Sequence, residues 1–325
     1  MAKEFVEKFG YRKYKGKTEA RWKRIWNLAR FELISTWYKS TFGKVILIII
    51  LVLNFMAITL NTAYVSSIAN DPEFFPEEKD RDRLIRTALN TVVARYLDLG
   101  INIITPSNDI PFAGMNIGFL IIALFAIAGS GLFADDRQGR IVEIYLSKLQ
   151  RTEYVIGKIC AIFFYINIFA TVPLLALGVV YVQALGENHL QYLDYYTAII
   201  VYGLLVSFLY GLAILIFSSL FEKRNYASLG FYLTYLLGSI FGGLVSSQEE
   251  ASEFLMLTCP SHFFTLLAYS ILGEYELESV GKLYILNDGK GLEHFHILGL
   301  TFILIVIMTV FLFFKLHRLT TEELA

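Results

Sequence analysis

Long runs of apolar residues divide this chain, and polar segments separate them. A helix needs about 20 mostly apolar residues to cross ~30 Å of hydrocarbon, because each residue adds ~1.5 Å. Six runs reach this length without Asp, Glu, Lys or Arg in their centres. They cover residues 44–64, 112–134, 158–182, 197–220, 226–246 and 296–314. The pattern predicts an all-α membrane protein with six transmembrane helices.

A seventh apolar stretch, residues 254–272, allows two interpretations. Pro260 lies within it and interrupts a helix, because proline lacks the backbone N–H and clashes with the preceding turn. Counting this stretch as a span would also move Lys315 and Arg318 to the opposite side of the membrane. We predict a re-entrant or interfacial helical pair within an outer segment, 247–295, and a true span is the alternative.

Composition supports the membrane assignment. Hydrophobic residues make up 56% of the chain, charged residues only 18%, and the mean hydropathy is +0.55. About a quarter of the residues in a soluble domain are charged. The net charge of −1 lacks the positive excess that nucleic-acid binding requires, so we expect no nucleic-acid partner. Two cysteines are too few for a disulfide scaffold.

The distribution of Lys and Arg predicts the orientation. Of the 28 such residues, 21 lie on the side of the N-terminus if the six runs all cross the membrane. Short loops rich in Lys and Arg remain cytoplasmic. We therefore expect a multi-pass protein of the cell membrane with both termini in the cytoplasm, an outer loop at 65–111 and a cytoplasmic loop at 135–158.

The chain divides into a cytoplasmic tail at 1–43, a transmembrane domain at 44–316 and a short tail at 317–325. The first tail contains large apolar residues at helical spacing between basic residues, which favours an amphipathic helix in the membrane interface. An ordinary soluble helix is the alternative. The residues assigned to the interfacial helix are Trp22, Ile25, Trp26, Leu33 and Trp37.

The 135–158 loop has a distinct pattern. Asp135, Asp136 and Arg137 must end the second span, because each charge costs about 2.5–3.5 kcal/mol at the centre of a bilayer. Gly139 is a natural break point, and Thr152 is a suitable cap for the third span. Between them, residues 141–146 predict a short helix across the membrane surface.

This loop and the overall layout resemble the permease subunits of ABC transporters of the type 2 class, also called type V exporters. The positions that match the family's loop motif are Asp136, Gly139, Ile141, Leu146, Ser147, Arg151, Gly157 and Lys158. Arg140 stands where the family often has Thr, and Leu149 and Gln150 replace its usual Pro. The layout covers nearly the whole chain, whereas the motif covers only residues 129–158.

The resemblance implies a permease subunit that couples ATP hydrolysis on a separate ATPase to the movement of a substrate, in the outward direction of an exporter. The implied partners are an ABC ATPase, which would hold the ATP and Mg, and a second permease subunit, identical or homologous. The residues assigned to ATPase coupling are Asp135, Asp136, Arg137, Gly139, Arg140, Ile141, Glu143, Tyr145, Leu146 and Arg151.

The chain itself contains no GxxxxGK[ST] motif, and we expect no enzymatic activity, cofactor or metal site in it. Polar residues in the spans are candidates for a translocation path, although such amides also bond between packed helices. The assigned residues are Asn54, Asn116, Asn167, Tyr202 and Tyr210. Two other functions stay open: a membrane anchor for an ATPase, and an ion-coupled secondary transporter, which the uncharged span centres disfavour.

Overall fold

The computed structural model describes residues 20–39, 41–69, 118–139, 141–184, 186–246, 257–273 and 294–322, together with residues 86, 90 and 93. Within these ranges the chain is almost entirely helical and contains no β-strand. The all-α class predicted from the apolar runs is therefore confirmed.

Ten α-helices follow one another along the described chain. They are α1 (Arg21–Lys39), α2 (Thr41–Ala69), α3 (Gly118–Gln138), α4 (Val142–Leu146), α5 (Arg151–Ile166), α6 (Val172–Ala184), α7 (Leu193–Leu220), α8 (Arg224–Ser246), α9 (Pro260–Leu272) and α10 (His294–Glu322). A π-helical turn, Asn167–Thr171, joins α5 to α6, and a 3₁₀ turn, His189–Tyr192, precedes α7.

Four of the described helical segments are long and apolar enough to cross a membrane. They are Gly118–Gln138, Arg151–Ala184, His189–Leu220 and Phe295–His317. The chain is thus a multi-pass membrane protein. Helices α2 and α8 cover the predicted spans at 44–64 and 226–246 but are not among these four, so the first and fifth spans stay predictions.

Helix α7 forms the centre of the fold and packs against α3, α5, α8, α9 and α10. Close packing depends on Gly203, because a Cβ atom at this position would lie 2.6 Å from Cγ2 and 2.8 Å from Cβ of Thr171. Thr171 belongs to the π-helical turn of the third predicted span. The missing side chain therefore lets α7 approach the chain at this turn.

The third predicted span begins earlier than the apolar run suggested. Its helix starts at Arg151, so Lys158 lies two turns inside it. The N-cap is Gln150, whose backbone N–H donates to the Glu153 carboxylate at 3.1 Å. The prediction that Thr152 caps this helix is wrong, since its hydroxyl instead accepts a hydrogen bond from Arg21 at 3.2 Å.

Helix α9 begins at the proline that interrupts the seventh apolar stretch. It begins at Pro260, directly after its N-cap Cys259, where the missing proline N–H costs nothing. Its 13 residues extend about 20 Å, less than the ~30 Å of a hydrocarbon core. Most of its residues are buried, and the helix packs against α7, α8 and α10. Residues 247–256 and 274–293 lie outside the described ranges, so the helical pair stays a prediction.

Candidate functional site

A buried ion cluster joins three helices where α3 ends and α5 begins. The fully buried Lys158 ammonium of α5 lies 2.6 Å from Asp136 Oδ2 of α3 and 2.8 Å from Glu32 Oε1 of α1. Both carboxylates are nearly inaccessible as well. One cation thus bridges two anions from separate helices. Such an arrangement is stable only when the remaining lone pairs also find donors.

Two tyrosines provide those donors. Tyr154 donates to Asp136 Oδ2 at 2.7 Å, and Tyr145 donates to Glu32 Oε1 at 3.3 Å. The Lys158 ammonium lies 5.4 Å from the centroid of each ring, within the range of cation–π attraction. Burial, together with the charges of Glu32 and Asp136, raises the pKa of the Tyr145 hydroxyl. It therefore remains a protonated donor at neutral pH and ties α4 to α1.

A second set of ionic contacts connects α1 to the start of α5. Arg24 donates from Nε to Glu153 Oε2 at 3.2 Å and from Nη2 to Oε1, while Arg21 Nε lies 3.7 Å from Oε1. The helices come close here because residue 157 is glycine: a Cβ atom would lie 2.7 Å from Leu28 Cδ2. Helix α1 is thus attached to α5 between Arg21 and Glu32.

We expect Arg24→Gln to lower the free energy of unfolding by about 1–2 kcal/mol, because the fully buried Glu153 would lose its bidentate partner. Arg21→Gln is the matched control and should cost less than about 0.5 kcal/mol, since Arg21 is largely exposed. Denaturation in detergent measures both, and trypsin cleavage after Arg30 reports whether α1 has detached. Equal effects of the two substitutions would show that the Arg24 pair does not hold α1.

Helix α4 presents two different faces. Val142 is buried, and Tyr145 and Leu146 are partly buried against the helical body. Ile144 is 60% exposed and Ile141 is 38% exposed on the other side. The buried cluster fixes the inner face, so these two isoleucines form an exposed apolar edge on a short, anchored helix.

The other residues assigned to coupling have different surroundings. Arg137 donates to the Ser219 carbonyl at 3.0 Å, and Asp135 lies 3.9 Å from Arg224, so the end of α3 is connected to the last turn of α7 and the first residue of α8. Gly139 and Arg151 are exposed. Arg140 and the side chain of Glu143 lie outside the described residues. Asp136 and Tyr145 belong to the buried cluster and are not exposed contacts.

The residues assigned to the interfacial helix fall on two sides of α1. Ile25 is buried against α5 with Leu28 and Ala29, and Leu33 is partly buried. Trp22 and Trp26 are exposed, and the ring of Trp26 meets Phe164 edge-on at 5.4 Å. The side chain of Trp37 lies outside the described residues.

Four of the five candidates for a translocation path lie among the described residues, and their role in a path stays a prediction. Tyr202 donates to the Phe264 carbonyl of α9 at 3.5 Å, and the Tyr210 ring stacks on Phe264 at 4.4 Å. Asn167 donates to the Phe163 carbonyl and accepts from Thr171, both within its own helix. Asn54 is buried in α2, and Asn116 lies outside the described residues.

The sequence pattern did not identify Glu32 or Tyr154, and it treated Lys158 only as a motif position at the edge of a span. One signal was present: Glu32 continues the stripe of Ile25, Leu28 and Ala29 at three- and four-residue steps. An acid on an apolar face indicates a buried cationic partner.

Comparisons with protein-family models and with curated proteins find no match to this chain.

Proposed function

We propose that this chain is the six-span membrane subunit of an ATP-driven exporter of the ABC type. In this proposal α2 and α8 are the first and fifth spans and α9 belongs to a re-entrant pair. Both termini lie in the cytoplasm, in the orientation that the Lys and Arg distribution favours. The observation that carries the proposal is the exposed Ile141–Ile144 edge on an anchored surface helix.

The ion cluster supports a mechanical role for α4. Tyr145 of α4, Glu32 of α1, Asp136 of α3 and Lys158 of α5 share one set of hydrogen bonds. If an ATPase displaced α4, the shared hydrogen bonds would therefore transmit the movement to α1, α3 and α5 together. Coupling requires that ATP favours one arrangement of these helices over another.

A membrane anchor for an ATPase would need the same docking edge, but it would not need the spans to move. Substrate transport in reconstituted vesicles distinguishes this function from the exporter.

The buried Lys158 between two carboxylates favours a further candidate, because secondary transporters use such groups for ion coupling. Their sites lie near the bilayer midplane, however, whereas this cluster lies where the helices end.

Docking on α4 is tested with a tagged chain and a matched pair of substitutions. We expect Ile144→Asp to reduce recovery of an ABC ATPase at least tenfold in mild detergent, because a charge would replace an exposed apolar contact at the docking edge. The control is Leu190→Asp, since Leu190 is 71% exposed at the opposite end of the helices. Mass spectrometry of the purified complexes quantifies the ATPase.

Several results would contradict this function. If neither the unmodified chain nor the control recovers an ATPase in detergent or nanodiscs, the ATP-driven function is wrong. If both substitutions reduce recovery equally, α4 is not the docking edge. Transport that continues without any ATPase would favour the ion-coupled alternative.

A further inference from the structure

A cavity of about 670 Å³ opens between α3, α4, α5 and α10 at the end of the molecule that carries α4. Its volume lies within the range of small-molecule sites. Buried apolar residues form its inner part, among them Phe133 and Val155. Leu146 of α4 also lines it. The cavity is therefore distinct from the exposed docking edge, which lies on the other side of α4.

The cavity is open toward the surroundings of α10. Val310 and Phe314 line it although they are 63% and 69% exposed. Both belong to a helix that is long and apolar enough to cross a membrane and is largely uncovered by the rest of the chain. An apolar chain in the bilayer can thus reach the interior of the cavity from the side.

The rim of the cavity carries positive charge from two arginines. Arg137 and Arg151 belong to its lining, and none of the described lining residues is acidic. Arg151 lies 3.0 Å from Nδ1 of His317, which joins the start of α5 to the end of α10. Arg137 is partly offset by the exposed Glu222 at 3.7 Å. Arg151 is therefore the exposed cation best placed to bind an anion at the rim.

We infer that this cavity binds an anionic phospholipid, with an acyl chain between α5 and α10 and the phosphate at Arg151. The apolar interior and cationic rim match the two parts of such a lipid, and basic pockets at the ends of transmembrane helices suit anionic headgroups. The headgroup of a zwitterionic lipid also carries a cation, which would lie near the same basic rim, so we expect such a lipid to bind more weakly. The site does not depend on the proposed function, although its assignment to the cytoplasmic leaflet depends on the proposed orientation.

The position of the cavity relates the lipid to the ion cluster. Tyr154 lines the cavity and donates its hydroxyl to Asp136 in the cluster. Leu146 contributes from α4, the helix that Tyr145 anchors to Glu32. A bound acyl chain would thus contact residues that hold α4 in place.

Native mass spectrometry of the full chain tests the site, with phosphatidylglycerol and phosphatidylcholine of identical acyl chains as probes. We expect preferential retention of phosphatidylglycerol, reduced about fivefold by Arg151→Gln, the effect of one basic residue near a headgroup. The control Lys148→Gln removes an exposed basic residue of the same loop that does not line the cavity. Equal retention of the two lipids, or equal loss in the two variants, would overturn the inference.

A second pair of substitutions tests the acyl-chain part. Val310→Trp would fill the cavity and should lower retention at least as much as Arg151→Gln, whereas Ile307→Trp should not, because Ile307 is similarly exposed on α10 outside the lining. A photo-crosslinking residue at 310 identifies the occupant. Attachment to lipid supports the site, and attachment to a second copy of the chain would replace it with an interface between subunits. No ATPase is used, so failure here leaves the proposed function untouched.

Discussion

Replacing Lys158 with Met should lower the free energy of unfolding by about 3–5 kcal/mol, because two buried carboxylates would lose the cation between them. Asp136 and Glu32 would keep only the hydroxyls of Tyr154 and Tyr145 as described donors in the cluster. The loss is measured by denaturant titration in detergent. Lys148→Met is the control, and we expect it to change stability by less than about 0.5 kcal/mol, since Lys148 is exposed.

A triple substitution separates the effect of unpaired charge from that of lost packing. Lys158→Met combined with Glu32→Gln and Asp136→Asn leaves no formal charge in the cluster, and the amide oxygens still accept from both tyrosines. We expect it to recover at least half of the loss caused by Lys158→Met alone. If the triple variant is less stable than the single one, the carboxylates are not the source of the destabilisation. If Lys158→Met lowers the free energy of unfolding no more than Lys148→Met does, the cluster does not contribute to stability.

Gly203→Val should destabilise the chain at the upper end of the ~1–3 kcal/mol typical of overpacking, because its Cβ would overlap three atoms of the Thr171 side chain. Thr171 cannot move away easily, since it is buried and its hydroxyl is bonded to Asn167 at 2.7 Å. Separation of α7 from the π-helical turn is the expected structural result. Thermal unfolding in detergent measures the loss.

Gly299→Ala provides the comparison, because a Cβ atom at 299 would meet nothing within 4 Å. Alanine has the higher helix propensity, so this change within α10 should be neutral or stabilising by up to about 1 kcal/mol. A Gly203→Val variant as stable as Gly299→Ala would show that the contact with Thr171 is not a close one. Gly203→Val combined with Thr171→Ala should recover part of the lost stability.

Much of the fold could be predicted because each apolar helix is visible as a continuous run of apolar residues in the sequence. Apolar runs identified the all-α class and the four helices long and apolar enough to span a membrane. The helix boundary at Pro260 could also be predicted, because proline restricts the backbone wherever it occurs. Each of these features depends on residues that are close together in the sequence.

The ion cluster could not be predicted from local pattern. Glu32 and Lys158 are 126 residues apart, and no spacing rule connects them. The run of apolar residues placed Lys158 at the edge of a span, whereas the helix begins at Arg151 and carries Lys158 into the packed interior. Helix α1 shows a similar limit, because Trp22 and Ile25 share an apolar stripe in sequence but differ in burial.

The separation of the cluster residues in sequence sets an order for biogenesis. Glu32 is synthesised first, and its described partners, Tyr145 and Lys158, follow 113 and 126 residues later. At about 5–20 residues per second, a ribosome needs roughly 6–25 s to reach Lys158. Throughout this interval Glu32 of the nascent N-terminal helix lacks the cation that it contacts in the finished fold. The helix can therefore complete its contact with α5 only after the start of the third apolar segment has been synthesised.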